Sequence, residues 1–157
     1  MTTTDDHAAW HEVYDLSLGY AQAIDSHDWD RFGALYADEV AVDFSSFNGL
    51  EPGERTLRRA TWVRAVGAFA TGFTSTQHLI ANQLISFESA DRGGYSAYVQ
   101  AQHWIDRDTW YLVGGRYQNR VERVGGRWVL TAVTLQQLWD SGDRSIADAA
   151  LARREPS

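Results

Sequence analysis

The spacing of the apolar residues changes once along this chain, and that change limits the fold more than any other feature. Up to about residue 70 the apolar side chains recur mostly at helical spacing; from about residue 76 they alternate. Trp10, Val13, Tyr14, Leu18, Ala21 and Ile24 step by three and four across residues 7–26, which predicts an amphipathic helix. Asp5 or Asp6 is placed to cap its start. The pattern breaks at "SHD". Asp28 then has the side chain of an N-cap, and Asp30 falls in the first turn of a second helix with Trp29, Phe32, Leu35 and Tyr36. Val40, Val42 and Phe44 alternate as a strand, and "NGLEPGE" reads as a loop. A third helix is predicted over about 56–70, carrying Leu57, Trp62, Val63, Val66 and Phe69.

The second half reads as strands. "TQHLIANQLISFES" puts His78, Ile80, Asn82 and Leu84 on one face, and Leu79, Ala81 and Ile85 on the other. "DRGG" is a turn, and "YSAYVQAQHWI" alternates after it. "TWYLVGGRYQNRVERV" and "RWVLTAVTLQQLW" are joined by "GG", a hairpin signal. Helices first and strands last is the order of an α+β fold: an antiparallel sheet with helices on one face. A strongly curved sheet with helices across its mouth makes a cone with an interior pocket. Gly114 and Gly115, inside a strand, are where a bend is cheap. The tail "DRSIADAALARRE" suits a short amphipathic helix. The 157 residues fit one domain, with a core of about 7–140 and a tail or capping helix over 141–157.

Composition excludes several functions. A net charge of −7 opposes binding to nucleic acid or an anionic membrane, since both need a basic face. Every Lys/Arg-type cation is an arginine, so lysine Schiff-base chemistry is excluded. The absence of cysteine removes disulfides, thiolate catalysis and cysteine-ligated metal. The N-terminus lacks a basic region followed by an apolar one, and no apolar run reaches the ~20 residues of a membrane span. The expected location is the cytoplasm.

Few residues could carry chemistry. Asp25 shares a helix face with Tyr14, Leu18 and Ala21, and an ionised carboxylate there is costly unless it is paired. Two readings are open: the helix holds and Asp25 faces the core, or it frays after Ile24 and Asp25 meets water. His78 begins an alternating strand on an apolar face. Beside a carboxylate it would be a general base near neutral pH; alone it is an ordinary core histidine. His103, in line with Val99 and Ala101, is a second acid/base candidate or an edge residue. Tyr117 and Asn119 share a strand face and could bind a substrate oxygen, or simply belong to a sheet surface. Arg116 and Arg120 lie opposite them, in solvent or in cross-strand pairs. His7 and His11 have metal-competent i, i+4 spacing, but without a metalloprotease motif they read as surface residues.

"YAQAIDSHDWDRF", "VDFSSF", "TQHLIANQLISF" and the histidine of "AQHW" together resemble the scytalone dehydratase family. That family is a SnoaL-like group within the nuclear transport factor 2-like superfamily. The match runs in order from about residue 20 to residue 139. "VGGRYQNRVERVGGRW" is also similar to the matching hairpin of hexachlorocyclohexane dehydrochlorinases. The resemblance implies a cone-shaped α+β barrel whose helices close a deep apolar pocket. It implies an Asp25–His78 dyad in that pocket, with His78 transferring the proton and Asp25 orienting it. His103 falls on a second active-site histidine, Asn119 on an active-site asparagine if the hairpin is two residues shorter, and Tyr117 on an active-site serine. Two tyrosines that polarise a substrate carbonyl in that family are replaced here by Ile24 and Phe44, which cannot donate a hydrogen bond. Scytalone itself is therefore not the expected substrate, and Tyr14, Tyr98 or Tyr117 would have to donate instead.

The expected function is a cofactor-independent and metal-free lyase acting on a small hydrophobic or polyketide-like alcohol or ketone. His103 is expected to protonate the leaving group, and Ile24, Phe44, Tyr14, Tyr117 and Asn119 to contact the substrate. Dehydrohalogenation, isomerisation and polyketide cyclisation begin with the same proton abstraction. A non-catalytic ligand-binding or structural subunit of this fold is the alternative. Relatives pair through sheet faces, which implies a homodimer or homotrimer, with Trp128 and Trp139 on strands that need covering.

Overall fold

The computed structural model describes residues 3–153, with side chains from residue 7 onward. Expectations for residues 1–2, for the side chains of Asp5 and Asp6, and for residues 154–157 of the tail lie outside the described residues. The elements run α1 (Thr3–Asp25), α2 (Trp29–Ala34), β1 (Tyr36–Asp43), α3 (Ser45–Asn48), β2 (Arg55–Arg58), α4 (Arg59–Ala70), β3 (Ser75–Phe87), β4 (Arg92–Trp104), β5 (Trp110–Val124), β6 (Arg127–Gly142) and α5 (Arg144–Ala152). The fold is a mixed α+β arrangement of N-terminal helices and one six-stranded sheet. Its six strands lie in the order β2-β1-β6-β5-β4-β3.

One pairing departs from the antiparallel sheet read from the sequence. β1 runs parallel to β6, while the other neighbours are antiparallel. A meander of four long strands starts at the far edge of the sheet, and its last strand returns beside β1. The chain must therefore cross the sheet between β2 and β3, and α4 makes that crossing. The third helix starts at Arg59 rather than near residue 56, because Arg55–Arg58 pair with β1 as a strand. Phe44 leaves the strand and stands at the N-cap of α3. α1 already includes residues 5 and 6, so neither is the residue preceding the helix.

Bulges bend the long strands. The β5–β6 register shifts between Gly114 and Gly115, and again between Arg120 and Val121. The first shift is where the two glycines made a bend cheap. In β3 the register shifts between Ala81 and Leu84, with Asn82 in the left-handed region at φ 55°. That bulge reverses the alternation beyond it. Leu84, expected on the His78 face, is 71% exposed, and Ile85 packs on the core instead.

α1 lies along the concave face of the sheet against β3 and β6, and α4 packs on α1, α2, β1 and α5. The buried face of α1 is centred on Val13, Leu16, Ser17, Tyr20 and Ile24. Tyr14 and Leu18 flank that face, and Trp10 is 38% exposed, stacked on Tyr14 at the surface. The main core joins Phe32, Tyr36, Trp62, Tyr95, Tyr111 and Tyr117 with the inward residues of β4–β6. Trp128 is buried against Phe87, and Arg120 pairs with Glu54 on the outer surface.

Candidate active site

α1 ends without fraying. His27 N–H donates to the Ile24 carbonyl and Asp28 N–H to the Ala23 carbonyl, the paired bonds of a Schellman closure. His27 takes the left-handed position, φ 56°, that glycine usually fills. The closure keeps Asp25 in the last helical turn, so the reading in which it drifts into solvent is excluded. Asp28 accepts from Arg31 N–H and caps α2 as expected.

From that turn the Asp25 carboxylate reaches the start of β3. Its Oδ1 lies 2.7 Å from His78 Nδ1 and accepts from Thr76 Oγ1 at 2.8 Å. Its Oδ2 accepts from the His78 backbone N–H at 2.8 Å. Thr76 and His78, two apart on one strand face, are therefore both tied to the same acid. The carboxylate cannot donate when ionised, so His78 Nδ1 carries the proton and Nε2 bears the lone pair of the neutral ring. Burial alone would raise the Asp25 pKa. The His78 imidazole, its charge and its backbone N–H, with the Thr76 hydroxyl, outweigh burial and hold it below the usual carboxylate range.

His103, on β4, stands edge-on to His78 with ring centroids 5.9 Å apart. It is 2% exposed, packed against Phe69 and Phe73. Its Nδ1 lies 3.3 Å from the Tyr111 carbonyl, which can only accept, so Nδ1 carries the proton. Burial, with the neighbouring His78 adding to it, pushes its pKa down to about 3. A ring held neutral with its proton on Nδ1 has none on Nε2 to give. The leaving-group acid expected of His103 is thus opposed by its surroundings, which make Nε2 an acceptor.

These side chains border an internal cavity of about 60 Å³. Its lining is mainly apolar and aromatic: Ile24, Phe44, Phe47, Trp62, Phe69 and Leu135 lie around His78 and His103. That volume is far below the ~300–1,000 Å³ of a pocket for a drug-sized ligand, so the deep pocket expected from the sequence is a narrow one. Phe44 and Trp62 also line an open groove of about 830 Å³ on the other side, between α4, α5 and the β1–β2 connection. The two rings, 5.3 Å apart, form the partition between groove and cavity. α5 is fastened nearby. Arg144 Nη1 donates to the Tyr111 hydroxyl at 3.0 Å and Nη2 to the Phe47 carbonyl at 2.6 Å.

The structure thus brings Asp25, His78, His103, Ile24, Phe44 and Tyr117 to one cavity or its wall. Asn119 is buried beside it, donating to the Tyr95 hydroxyl and accepting from Thr134 N–H, so its amide is already engaged. Tyr14 is outside the lining, and Tyr98 is 51% exposed on the outer face of the sheet. Tyr20 and Thr76 went unnoticed in the sequence, although both carried a signal. Tyr20 is one helical turn before Ile24, and Thr76 is two residues before His78 on its strand. Among the described residues no group of three or more metal-ligating side chains forms, and His7 and His11 are exposed. No helix among them is long and apolar enough to cross a membrane.

Residues 6–134 match the SnoaL-like domain model, and the chain belongs to that family, within the nuclear transport factor 2-like superfamily. Solved structures agree on the fold. The Kfla4162 protein of Kribbella flavida superposes with a TM-score of 0.83 at 25% identity, over 91% of this chain and 99% of that one. A scytalone dehydratase candidate from Novosphingobium aromaticivorans gives 0.78 at 19% identity, over 90% and 92%. Hexachlorocyclohexane dehydrochlorinase LinA-type3 from Novosphingobium barchaimii gives 0.74 at 16% identity, over 90% and 94%. No curated protein sequence matches the chain significantly.

Proposed function

We propose that the protein is a cofactor-independent lyase of the dehydratase type, acting on a small hydrophobic or polyketide-like alcohol or ketone. One observation carries this reading: the 2.7 Å contact of Asp25 Oδ1 with His78 Nδ1 beside an apolar cavity. That contact leaves His78 Nε2 as the base that takes a proton from carbon, and Asp25 stabilises the imidazolium that forms. The protonated His78 is then the acid available to the leaving group. His103 Nε2 accepts a hydrogen bond from a substrate hydroxyl. Isomerisation, cyclisation and dehydrohalogenation share the first step.

The non-catalytic alternative fits less well. An acid in the last turn of a helix opposes the helix dipole, and a half-buried one loses hydration as well. A structural subunit gains nothing from that cost, whereas a proton-transfer site needs it. The test is deuterium exchange and water loss across a panel of β-hydroxy ketones in D₂O, followed by NMR. Exchange in the wild type that falls by about 10²–10⁴ in His78→Ala is expected. Equal exchange in a folded His78→Ala protein would sink the reading.

We also propose that a second copy of the chain covers the outer sheet face, where Leu79, Tyr98 and Trp139 are 43–51% exposed.

A further inference from the structure

The closed cavity is too small for a substrate of several carbons. Its volume of about 60 Å³ is well below the ~150 Å³ of a cavity that accepts benzene. Part of the wall has to move, and most of the wall is fixed. Tyr20 and Tyr117 are each 4% exposed and meet edge-on at 5.5 Å, with their hydroxyl oxygens 3.4 Å apart. Trp62, 1% exposed, is held on α4 with its ring edge-on to Tyr36. Phe44 differs. Of the described residues that line the cavity, it alone belongs to no helix or strand. Its ring is half-buried, and it shares with Trp62 the position of lining both the cavity and the groove of about 830 Å³. The backbone beside it is tied down. Ser45 N–H donates to Asp43 Oδ1 at 3.0 Å, and Ser46 Oγ donates to the Leu135 carbonyl at 2.7 Å and accepts from Gln137 N–H at 2.9 Å. What is left to move is the Phe44 side chain, by a change of rotamer toward the open groove.

We propose that Phe44 is a side-chain gate that sets substrate length: its ring turns into the groove, the cavity opens past the fixed Trp62, and the substrate lies across the partition. Its reacting end then meets His78, and an unreactive apolar arm of several carbons lies in the groove. This rests on the reading of His78 as the base, and it narrows the substrate to an elongated molecule. The groove suits such an arm. Its inner surface is apolar, since Val42 and Trp62 are core residues and Leu57 and Leu151 pack on the core. Its acids are partly engaged: Asp43 accepts from the Ser45 and Gly53 backbone N–H groups, and Asp148 pairs with Arg144. Arg55 is the one cation in the lining, against Asp43, Glu51 and Asp148, so an arm ending in a carboxylate or phosphate is disfavoured. A short substrate leaves the groove empty and gains nothing from it, whereas each methylene of an arm laid on Leu57 adds to affinity.

The test separates the gate from the base. 2-Octanone and 2-butanone, labelled at the carbonyl carbon, serve as a long and a short probe, and NMR exchange spectroscopy gives their affinities and association rates. The proteins are the wild type, Phe44→Ala, and the groove variant Leu50→Asn with Leu57→Asn, each also carrying His78→Ala so that no chemistry is needed. Association of 2-octanone that is about tenfold faster in Phe44→Ala is expected, because the wild type binds only after a conformational change. The groove variant should weaken 2-octanone about tenfold and leave 2-butanone unchanged, because only the long probe has an arm to lose apolar contact. Circular dichroism checks that each variant keeps the fold. No saturable binding of 2-octanone by the wild type, an association rate indifferent to Phe44→Ala, or a groove variant that binds both probes like the wild type would each overturn the proposal. Proton exchange from 4-hydroxy-2-octanone that survives His78→Ala, while 2-octanone binding still depends on Phe44 and the groove, would overturn the base and uphold the gate. Exchange that needs His78, while binding ignores Phe44 and the groove, would do the reverse.

Discussion

Asp25 occupies the end of α1 least suited to an acid, where the last carbonyls already carry partial negative charge. Three hydrogen bonds from β3 compensate, and all three come from Thr76 and His78. Asp25→Asn presents an amide N–H₂ where an acceptor is needed. It should lower kcat by about 10²–10⁴ through the wrong His78 tautomer, and lower stability by about 1–3 kcal/mol through the donor left unmatched. Kinetics and urea denaturation measure the two separately. His103 makes a pH prediction. Its pKa falls from 6.5 when unfolded to about 3 when folded. Above 6.5 both states are neutral and stability does not depend on this group. Between the two values the unfolded state binds the proton and the folded state does not, so stability falls as pH drops through that window. Thermal melts from about pH 7 to pH 4 should show this slope, and His103→Phe should flatten it.

At the scale of elements, the bulge in β3 decides which side chains reach the interior. Period-two reading placed Leu84 with His78, and it failed at Asn82 because one left-handed residue shifts every later side chain to the other face. Asparagine tolerates that conformation, and a β-branched residue does not. Asn82→Val should destabilise the protein by about 1–2 kcal/mol, while Asn82→Gly should leave the melting temperature unchanged or higher. A melting curve for each checks it. The glycine pair in β5 was legible because glycine is the residue that makes a strand bend cheap. The bulge at Asn82 was not, because asparagine also occurs in ordinary strands. The ends of α1 and α2 were half legible. Asp28 as a cap follows from its side chain, but His27 as a helix terminator follows only from the observed backbone.

At the scale of the whole molecule, helices and meander enclose a cavity on one side of the sheet and leave an apolar surface on the other. Leu79 and Tyr98 stand on that outer face while their neighbours His78 and Val99 point inward. If a second copy covers it, light scattering should give a dimer or trimer mass for the wild type, and Leu79→Glu with Tyr98→Glu should return a folded monomer. A monomeric wild type would remove the proposal. On the inner side the narrowness of the cavity follows from large rings, Phe44 and Trp62 among them, that stand between it and the open groove.

Local physics was enough for part of this. Apolar spacing fixes helices before strands, side-chain chemistry fixes the Asp28 cap, and composition removes lysine and cysteine chemistry. These depend on residues near one another in the chain. Contacts across 53 and 97 residues do not. The approach of Asp25 to His78 and the meeting of Tyr20 with Tyr117 needed the tertiary structure. So did the neutral state of His103 and the parallel seam between β1 and β6, because each depends on how elements curve and pack.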